Sequence, residues 1–228
     1  MTTKMIRYGG PVKTRVTSRG SPISYPSKYN STLDGQRYYF DGATMWVTIP
    51  PWTPTTSGYH IKVSTVLARS AHTAGQYAVS STGFGTWVGT NAAGGVGCRL
   101  LPSGTTRLAG ATINVDSVDT LTLDVRLTDL DISSLNSTNN YVDSTDPSAW
   151  ASIAGYNANT ACQGLVGEVY LTDNADPTND RYYPINEGTG ATILCYEGDK
   201  VTPDPTNNGT IAGFNELNWV TFSGGQKQ

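Results

Sequence analysis

The chain has 228 residues, of which 37% are hydrophobic and only 14% are charged, with 25 glycines and 12 prolines. This length suffices for one large domain, and the net charge of −3 argues against a general nucleic-acid-binding protein. No apolar run reaches 18 residues, and the start MTTKMIRYGG lacks the apolar core of a signal peptide. We therefore expect synthesis in the cytoplasm and no contact with a membrane or with nucleic acid.

The first 35 residues differ in charge from the rest of the chain. Six of the 15 basic residues but one of the 18 acidic residues lie there, so this segment carries +5 and the remainder −8. Its prolines favour an extended path. We expect residues 1–35 to form an arm that anchors the protein on an acidic protein surface. The basic residues of this arm are Lys4, Arg7, Lys13, Arg15, Arg19 and Lys28.

From about Tyr38 onward, apolar and polar residues alternate with a period of two. The pattern is clear in Thr44–Ile49, Tyr59–Leu67 and Thr120–Thr128, and it is typical of half-buried antiparallel strands. Glycine-containing turns such as Asp41-Gly42 separate the runs. The chain therefore predicts an all-β fold, a two-sheet antiparallel sandwich or jelly roll formed by residues 36–228.

Two local features complete the fold prediction. The segment Ser148–Ala154, which follows a proline, is the one stretch that favours a short helix. The cysteines Cys98, Cys162 and Cys195 are odd in number and lack the spacing of a zinc site. We expect free, partly buried thiols in a reducing compartment.

Several stretches resemble a known family of jelly-roll domains. Residues 37–49 (RYYFDGATMWVTI) resemble the opening strands of laminin-G-like, concanavalin A-like domains, and residues 164–171 (GLVGEVYL) resemble a late core strand of that family. Residues 179–190 (NDRYYPINEGTG) and 208–211 (NGTI) resemble stretches of lectin-like domains in tailed-bacteriophage virion proteins. The resemblance covers roughly residues 36–222 and implies a concanavalin A-like sandwich used for display and binding.

The resemblance implies a non-enzymatic structural protein of a phage virion surface, most consistent with a capsid decoration or head-surface protein. Its partners would then be the major capsid protein or other virion proteins, with self-association as a homotrimer. One alternative is a tail-fibre adhesin that binds host surface carbohydrate. A second alternative is a diverged glycoside hydrolase of the same fold.

The catalytic residue types argue against an enzyme. The two histidines, His60 and His72, have no nucleophile motif near them. Glucanases related to this fold carry two acids at alternating positions of one strand. Here Glu168 is followed two residues later by Tyr170, so that pair is missing, although acids from different strands would still be able to meet.

Two groups of residues are candidates for binding. An Asp/Asn-rich loop offers oxygen ligands that suit Ca²⁺, although the same residues build turns without a metal, and no cofactor is otherwise indicated. Its candidate ligands are Asp173, Asn174, Asp176 and Asp180. Aromatic residues offer a sugar platform or a protein interface. Trp52, which lies among prolines, is the foremost of them for an exposed contact, together with Tyr59, Trp87, Trp150 and Tyr156, and with Tyr182, Tyr183 and Trp219 as further candidates.

Overall fold

A computed structural model describes the fold over most of the chain. The described residues are 13–15, 23–25, 33–55, 58–67, 75–81, 86–100, 106–112, 118–125, 130–134, 137–141, 149–223 and 226–227. Within these ranges the chain forms 20 β-strands and short 3-10 turns. No helix in the described part of the chain has the length and apolar character that a membrane crossing requires.

The strands follow one another along the chain with short connections. In order they are β1 (Lys13–Arg15), β2 (Ile23–Tyr25), β3 (Gly35–Asp41), β4 (Trp46–Trp52), β5 (Tyr59–Leu67), β6 (Tyr77–Ser81), β7 (Trp87–Thr90), β8 (Gly95–Arg99), β9 (Thr106–Thr112), β10 (Val118–Val125), β11 (Leu130–Ser134), β12 (Ser137–Tyr141), β13 (Trp150–Ile153), β14 (Gln163–Asp173), β15 (Arg181–Tyr183), β16 (Thr192–Ile193), β17 (Tyr196–Glu197), β18 (Gly209–Ala212), β19 (Trp219–Ser223) and β20 (Gln226–Lys227). Three-residue 3-10 turns span Pro177–Asn179, Pro205–Asn207 and Glu216–Asn218.

Two large antiparallel sheets contain nearly all of these strands. Sheet I has ten strands, in the order β12-β11-β10-β5-β14-β3-β19-β20, with β15 paired to β14 and β17 paired to β15. Sheet II has eight, in the order β16-β18-β4-β13-β6-β7-β8-β9, and β1 and β2 form a separate hairpin. The predicted all-β, two-sheet jelly-roll sandwich is therefore confirmed.

The core lies between the sheets and follows the alternation of the sequence. In β4, Val47 and Ile49 are buried while Thr48 between them is exposed. In β5, Ile61 and Val63 are buried while Lys62 is exposed. Each large apolar side chain that is fully removed from water contributes about 1.5–3 kcal/mol, so this alternation fixes which face of each sheet turns inward.

The predicted helix over Ser148–Ala154 is wrong. Residues Trp150–Ile153 form strand β13, all four of them buried. β13 hydrogen-bonds to β4 on one side and to β6 on the other. A short apolar run does not distinguish a helix from a central strand by itself, and here the two flanking strands decide the outcome.

The chain joins sheet I shortly before β3. Leu33 is buried and packs with Tyr39, Val66, Leu165 and Val220 in a cluster separate from the main core. Most of the proposed arm lies outside the described residues. Of its basic residues, Lys13 and Arg15 lie in the hairpin strand β1, and Lys4, Arg7, Arg19 and Lys28 fall outside the described part.

Candidate functional site

Three tyrosines stand side by side on neighbouring strands of sheet I. The strand register places Tyr170 of β14 opposite Tyr182 of β15, and Tyr182 opposite Tyr196 of β17. The residues that alternate with them, such as Leu171 and Tyr183, belong to the core. The three tyrosines therefore lie on the outer face, where each is only partly buried. We call Tyr170, Tyr182 and Tyr196 the tyrosine row.

The rings of the tyrosine row form a corner rather than a flat platform. The centroids of Tyr170 and Tyr182 are 6.2 Å apart with the ring planes at 84°. Those of Tyr182 and Tyr196 are 6.4 Å apart with the planes at 53°. These are edge-to-face and tilted arrangements, which aromatic pairs favour, and all three side chains keep partial exposure to solvent.

A lysine ammonium lies over two of these rings. Lys200 Nζ is 4.7 Å from the centroid of the Tyr170 ring and 5.0 Å from that of the Tyr182 ring. Both distances are within the range of a cation–π interaction. The Lys200 side chain is nevertheless exposed to solvent, so the contact is a weak one.

The turn after β17 determines where Lys200 points. The Lys200 amide donates to the Glu197 carbonyl at 2.8 Å, and Lys200 has a φ of 63°, in the left-handed region. The Asp199 carboxylate accepts the amides of Val201 and Thr202, each at 2.8 Å. The Thr202 side chain also donates to this carboxylate. This hydrogen bond first, and those from the two amides next, lower the pKa of Asp199. They also hold the turn in a conformation that a lysine adopts only at some cost.

An acidic cleft adjoins the tyrosine row. It has a volume of about 510 Å³ and is open to solvent; it is lined by Pro177, Thr178, Asp180, Glu197, Gly198 and Asp199. The Tyr170 hydroxyl donates to the Gly198 carbonyl at 2.9 Å, which joins the row to the cleft. Asp180 is only 8% exposed. Burial, with the charges of nearby Asp173 and Asp176, raises the pKa of Asp180, although the Asp173 amide opposes this by donating to the carboxylate.

A fourth carboxylate lies beside the row. Glu168 is exposed on β14, two residues before Tyr170, and it acts on the Tyr182 hydroxyl. Burial first, and Glu168 second, raise the pKa of Tyr182 above its ordinary value. The site thus combines three phenol rings and four carboxylates with the Lys200 ammonium over the rings, a set that offers both stacking faces and hydrogen-bond acceptors.

The Asp/Asn loop uses its oxygens for internal hydrogen bonds. Asp173 accepts from the Thr55 amide at 2.7 Å, the Thr55 hydroxyl at 2.5 Å, the Ala175 amide at 3.1 Å and the Asn179 side chain at 3.0 Å. Burial alone would raise the pKa of Asp173, but these bonds, above all those from Thr55 and Asn179, lower it to about 2.

The remaining candidate calcium ligands are arranged as turn residues. Asp176 accepts the Thr178 amide at 3.0 Å as the cap of a 3-10 turn, and Asp180 accepts the Asp173 amide at 2.8 Å. Asn174 is exposed, and its amide donates to Gly58. Among the described residues, no group of three or more His, Cys, Asp or Glu is placed to hold a metal. The loop geometry is that of Asx turns.

The expectation that Trp52 is an exposed contact is wrong. Trp52 is fully buried, and its indole nitrogen donates to the Asn179 carbonyl at 2.7 Å. The register between β4 and β13 pairs Trp52 with Trp150 but Thr48 with Ser152, so four steps along β4 match two along β13. The regular alternation of β4 therefore ends at its prolines, and the pattern before them does not predict the direction of Trp52.

The other aromatic candidates are distributed over three environments. Tyr59 and Trp150 are fully buried and pack with Trp52 between the sheets. Trp87 is 3% exposed, and its ring is stacked on Tyr77 at 4.7 Å with an interplanar angle of 7°. Tyr156 is partly buried, 6.4 Å from Tyr77. Because Trp87 and Tyr77 cover one ring face of each other, this second group offers less free aromatic surface than the tyrosine row.

The two remaining aromatic candidates and the two histidines are placed as follows. Tyr183 belongs to the core and donates to the Asn207 carbonyl at 3.0 Å, and Trp219 is 7% exposed. His60 is partly buried on β5, while His72 lies outside the described residues. Of all the aromatic residues singled out from sequence, Tyr182 is the one that belongs to the tyrosine row. The sequence patterns did not indicate Tyr196 or Lys200 as binding residues.

The three cysteines are confirmed as free, and all three are buried. Burial raises the pKa of the Cys195 thiol to about 11 and raises that of Cys162 further. Neither thiol is therefore a nucleophile at neutral pH.

Comparison with known proteins shows the fold. No known family and no curated protein matches the sequence. Among solved structures, the chain is similar to a Bacteroides ovatus protein described as a candidate carbohydrate binding protein, with a TM-score of 0.58 and 11% identity over 87% of this chain. This chain covers 64% of that protein.

A second solved structure is similar over a smaller part of the chain. It is a heptameric SAP-like pentraxin from Limulus polyphemus, with a TM-score of 0.46 and 10% identity, covering 60% of this chain and 76% of that one. At 11% identity, the likeness to the Bacteroides protein shows the jelly-roll fold alone and does not identify a ligand.

Proposed function

We propose that the chain is a non-enzymatic carbohydrate-binding jelly roll and that the tyrosine row is its binding surface. The observation that carries the proposal is the register of Tyr170, Tyr182 and Tyr196, which places three partly exposed rings side by side. Tyrosine rings pack against the apolar faces of sugar rings, while the neighbouring carboxylates of Glu168 and Glu197 accept hydrogen bonds from hydroxyl groups.

The fold and the cleft agree with this proposal. A cleft of about 510 Å³ falls within the ~300–1,000 Å³ of small-molecule sites. The structural likeness to a candidate carbohydrate binding protein supports it as an analogy of fold.

A glycan array with the purified full chain tests the proposal. We expect binding to a subset of oligosaccharides and its loss in Tyr182→Ala. The matched control is Tyr156→Ala, which removes a partly buried tyrosine outside the row and should leave binding unchanged. Equal binding by the wild type and Tyr182→Ala, both folded by circular dichroism, would show that the row is not the site.

The absence of catalysis is part of the proposal and has its own test. Asp180, Glu197 and Asp199 line the same cleft, so carboxylates from separate segments of the chain do come together, as glycoside hydrolysis requires. However, Asp180 is engaged by the Asp173 amide and Asp199 by its own turn. We expect no release of reducing ends from any oligosaccharide that the array identifies. Release that is lost in Asp180→Asn would establish a hydrolase instead.

We also propose that this domain is displayed on a virion surface, anchored by residues 1–35 and assembled as a homotrimer. The supporting observation is the charge difference, +5 in residues 1–35 against −8 in the remainder. Quantitative mass spectrometry of purified particles measures the copy number. Hundreds of copies per particle would support a capsid decoration protein, and a dozen or fewer a tail adhesin. Particle incorporation that survives deletion of residues 1–30 would contradict the anchoring role.

A further inference from the structure

The ammonium group of Lys200 lies against the tyrosine row. Lys200 Nζ lies 4.7 Å and 5.0 Å from the ring centroids of Tyr170 and Tyr182, whose planes are at 84°. A corner of two rings directs the negative faces of both π-systems at one point, which is the arrangement that binds an ammonium group. A flat platform would serve a neutral sugar face equally well, but this corner favours a positive charge.

The surroundings of the row strengthen this preference. Asp180, Glu197 and Asp199 line the adjoining cleft, and Glu168 of β14 acts on Tyr182. Two lysines lie nearby, Lys200 over the rings and Lys62 opposite Tyr170 on β5, and the charge of Arg37 also acts on Tyr182. Four carboxylates against these three cations leave one net negative charge, which attracts a cationic ligand.

The Lys200 contact is one that a ligand can displace. The side chain is exposed, and an exposed cation–π contact is weak. The backbone of Lys200 is held by the turn, with φ at 63° and the amide bonded to the Glu197 carbonyl. The side chain can therefore leave the rings by rotation alone, without any change in the turn.

We propose that the tyrosine row and the acidic cleft bind amino sugars, whose protonated amino group replaces Lys200 Nζ over Tyr170 and Tyr182. This inference rests on the proposed function, that the row binds carbohydrate. The sugar ring extends toward the cleft, and Glu197 pairs with the ligand's positive charges. Lys200 acts as an internal competitor for the same ring faces.

Calorimetric titration of the full chain with two matched oligosaccharides tests this proposal. One is a glucosamine tetramer and the other its fully N-acetylated counterpart, which has the same backbone without the positive charges. At pH 6 a primary amine is protonated. We expect the glucosamine tetramer to bind at least tenfold more tightly. Glu197→Gln should reduce that preference, since it removes one carboxylate of the cleft.

Two lysine variants test the competition. Lys200→Gln keeps the side-chain length and removes the charge, and we expect it to raise the affinity for the glucosamine tetramer about threefold, in line with the loss of one exposed cation–π contact. Lys62→Gln changes the net charge equally but removes no ammonium from the rings. An equal increase in both variants, or a decrease in Lys200→Gln, would overturn the displacement.

The outcomes separate this inference from the proposed function. If the N-acetylated tetramer binds as tightly as the amine and Tyr182→Ala abolishes both, the row binds carbohydrate and the amino-sugar inference is wrong. If neither tetramer binds and the glycan array is also empty, both are wrong. Tighter binding of the amine, with its loss in Tyr182→Ala, supports both.

Discussion

Replacing Asp173 by asparagine should destabilise the fold in a pH-dependent way. Asp173 links the end of β14 to Thr55, and each carboxylate oxygen accepts two hydrogen bonds: Oδ2 from the Thr55 amide and Asn179, Oδ1 from the Thr55 hydroxyl and Ala175. In Asp173→Asn, whichever oxygen becomes NH₂ meets two groups that had donated to it. The variant therefore loses both the charge and a matched acceptor.

The pKa of Asp173 gives the size of the charge contribution. A pKa lowered from 3.8 to about 2 corresponds to about 2 kcal/mol at neutral pH. Because Thr55 is exposed, water screens part of this, and we expect about 1–2 kcal/mol. Since the folded pKa lies below the unfolded one, the contribution is full above pH ~4 and decreases as pH falls toward 2. The mismatched donors add ~1–3 kcal/mol at every pH.

Urea unfolding followed by tryptophan fluorescence measures this difference. We expect the wild type to exceed Asp173→Asn in free energy of unfolding by about 2–5 kcal/mol at pH 7, and the gap to narrow by about 1 kcal/mol at pH 3. The difference between the two proteins cancels the titration of distant carboxylates. Asn174→Ala, at an exposed neighbour, should change stability by less than ~0.5 kcal/mol. A gap that stays constant or widens between pH 7 and pH 3 would refute the reasoning.

Three further predictions concern the sandwich. Gly164→Ala should lower the free energy of unfolding in urea by more than ~2 kcal/mol. The reason is that Gly164 has a φ of 130° and a Cβ there would overlap the Val66 carbonyl. An unchanged free energy would mean that β5 and β14 are not paired as described. Trp52→Phe should lower the free energy of unfolding by ~2–4 kcal/mol, because the hydrogen bond to the Asn179 carbonyl is lost and a cavity is left behind. If Trp52 were exposed, the substitution would leave the stability unchanged. Millimolar Ca²⁺ should leave the thermal midpoint unchanged, because protein donors already occupy the oxygens of Asp173; a rise that EDTA reverses would contradict this.

The sandwich could be predicted because its strands follow a local rule. Val47, Ile49, Ile61 and Val63 alternate with polar residues, and all four are buried. A period of two can be recognised without knowing the neighbouring strands, since any strand with one buried and one solvent-exposed face shows it. For the same reason, the alternation predicts the outward direction of Tyr170, between the buried Val169 and Leu171.

The errors come from interactions between distant parts of the chain. β13 is a strand because β4 and β6 pair with it on both sides, and its own four residues do not reveal those partners. Trp52 is buried although the alternation of β4 would place it on the outer face, because the pairing of β4 with β13 is irregular over Pro50 and Pro51. Neither pairing can be read from the segments themselves.

The tyrosine row was only partly predictable for the same reason. Tyr182 stood out as an aromatic residue, but its neighbour Tyr196 is brought beside it by the pairing of β15 with β17. Lys200 lies over the rings from a turn in which its φ is 63°, a conformation that sequence assigns to glycine or asparagine rather than to lysine. Sites that are assembled across strands by register and turn geometry require the fold before they can be recognised.

The structure of the protein with a bound oligosaccharide tests the central claim most directly. An array-selected ligand, or the glucosamine tetramer, should be found with one sugar ring against the tyrosine row and with the next residues directed toward Asp180 and Glu197. In the tetramer, one amino group should lie over Tyr170 and Tyr182. A ligand bound at the Tyr77–Trp87 stack, or anywhere that leaves the tyrosine row uncovered, would contradict the account.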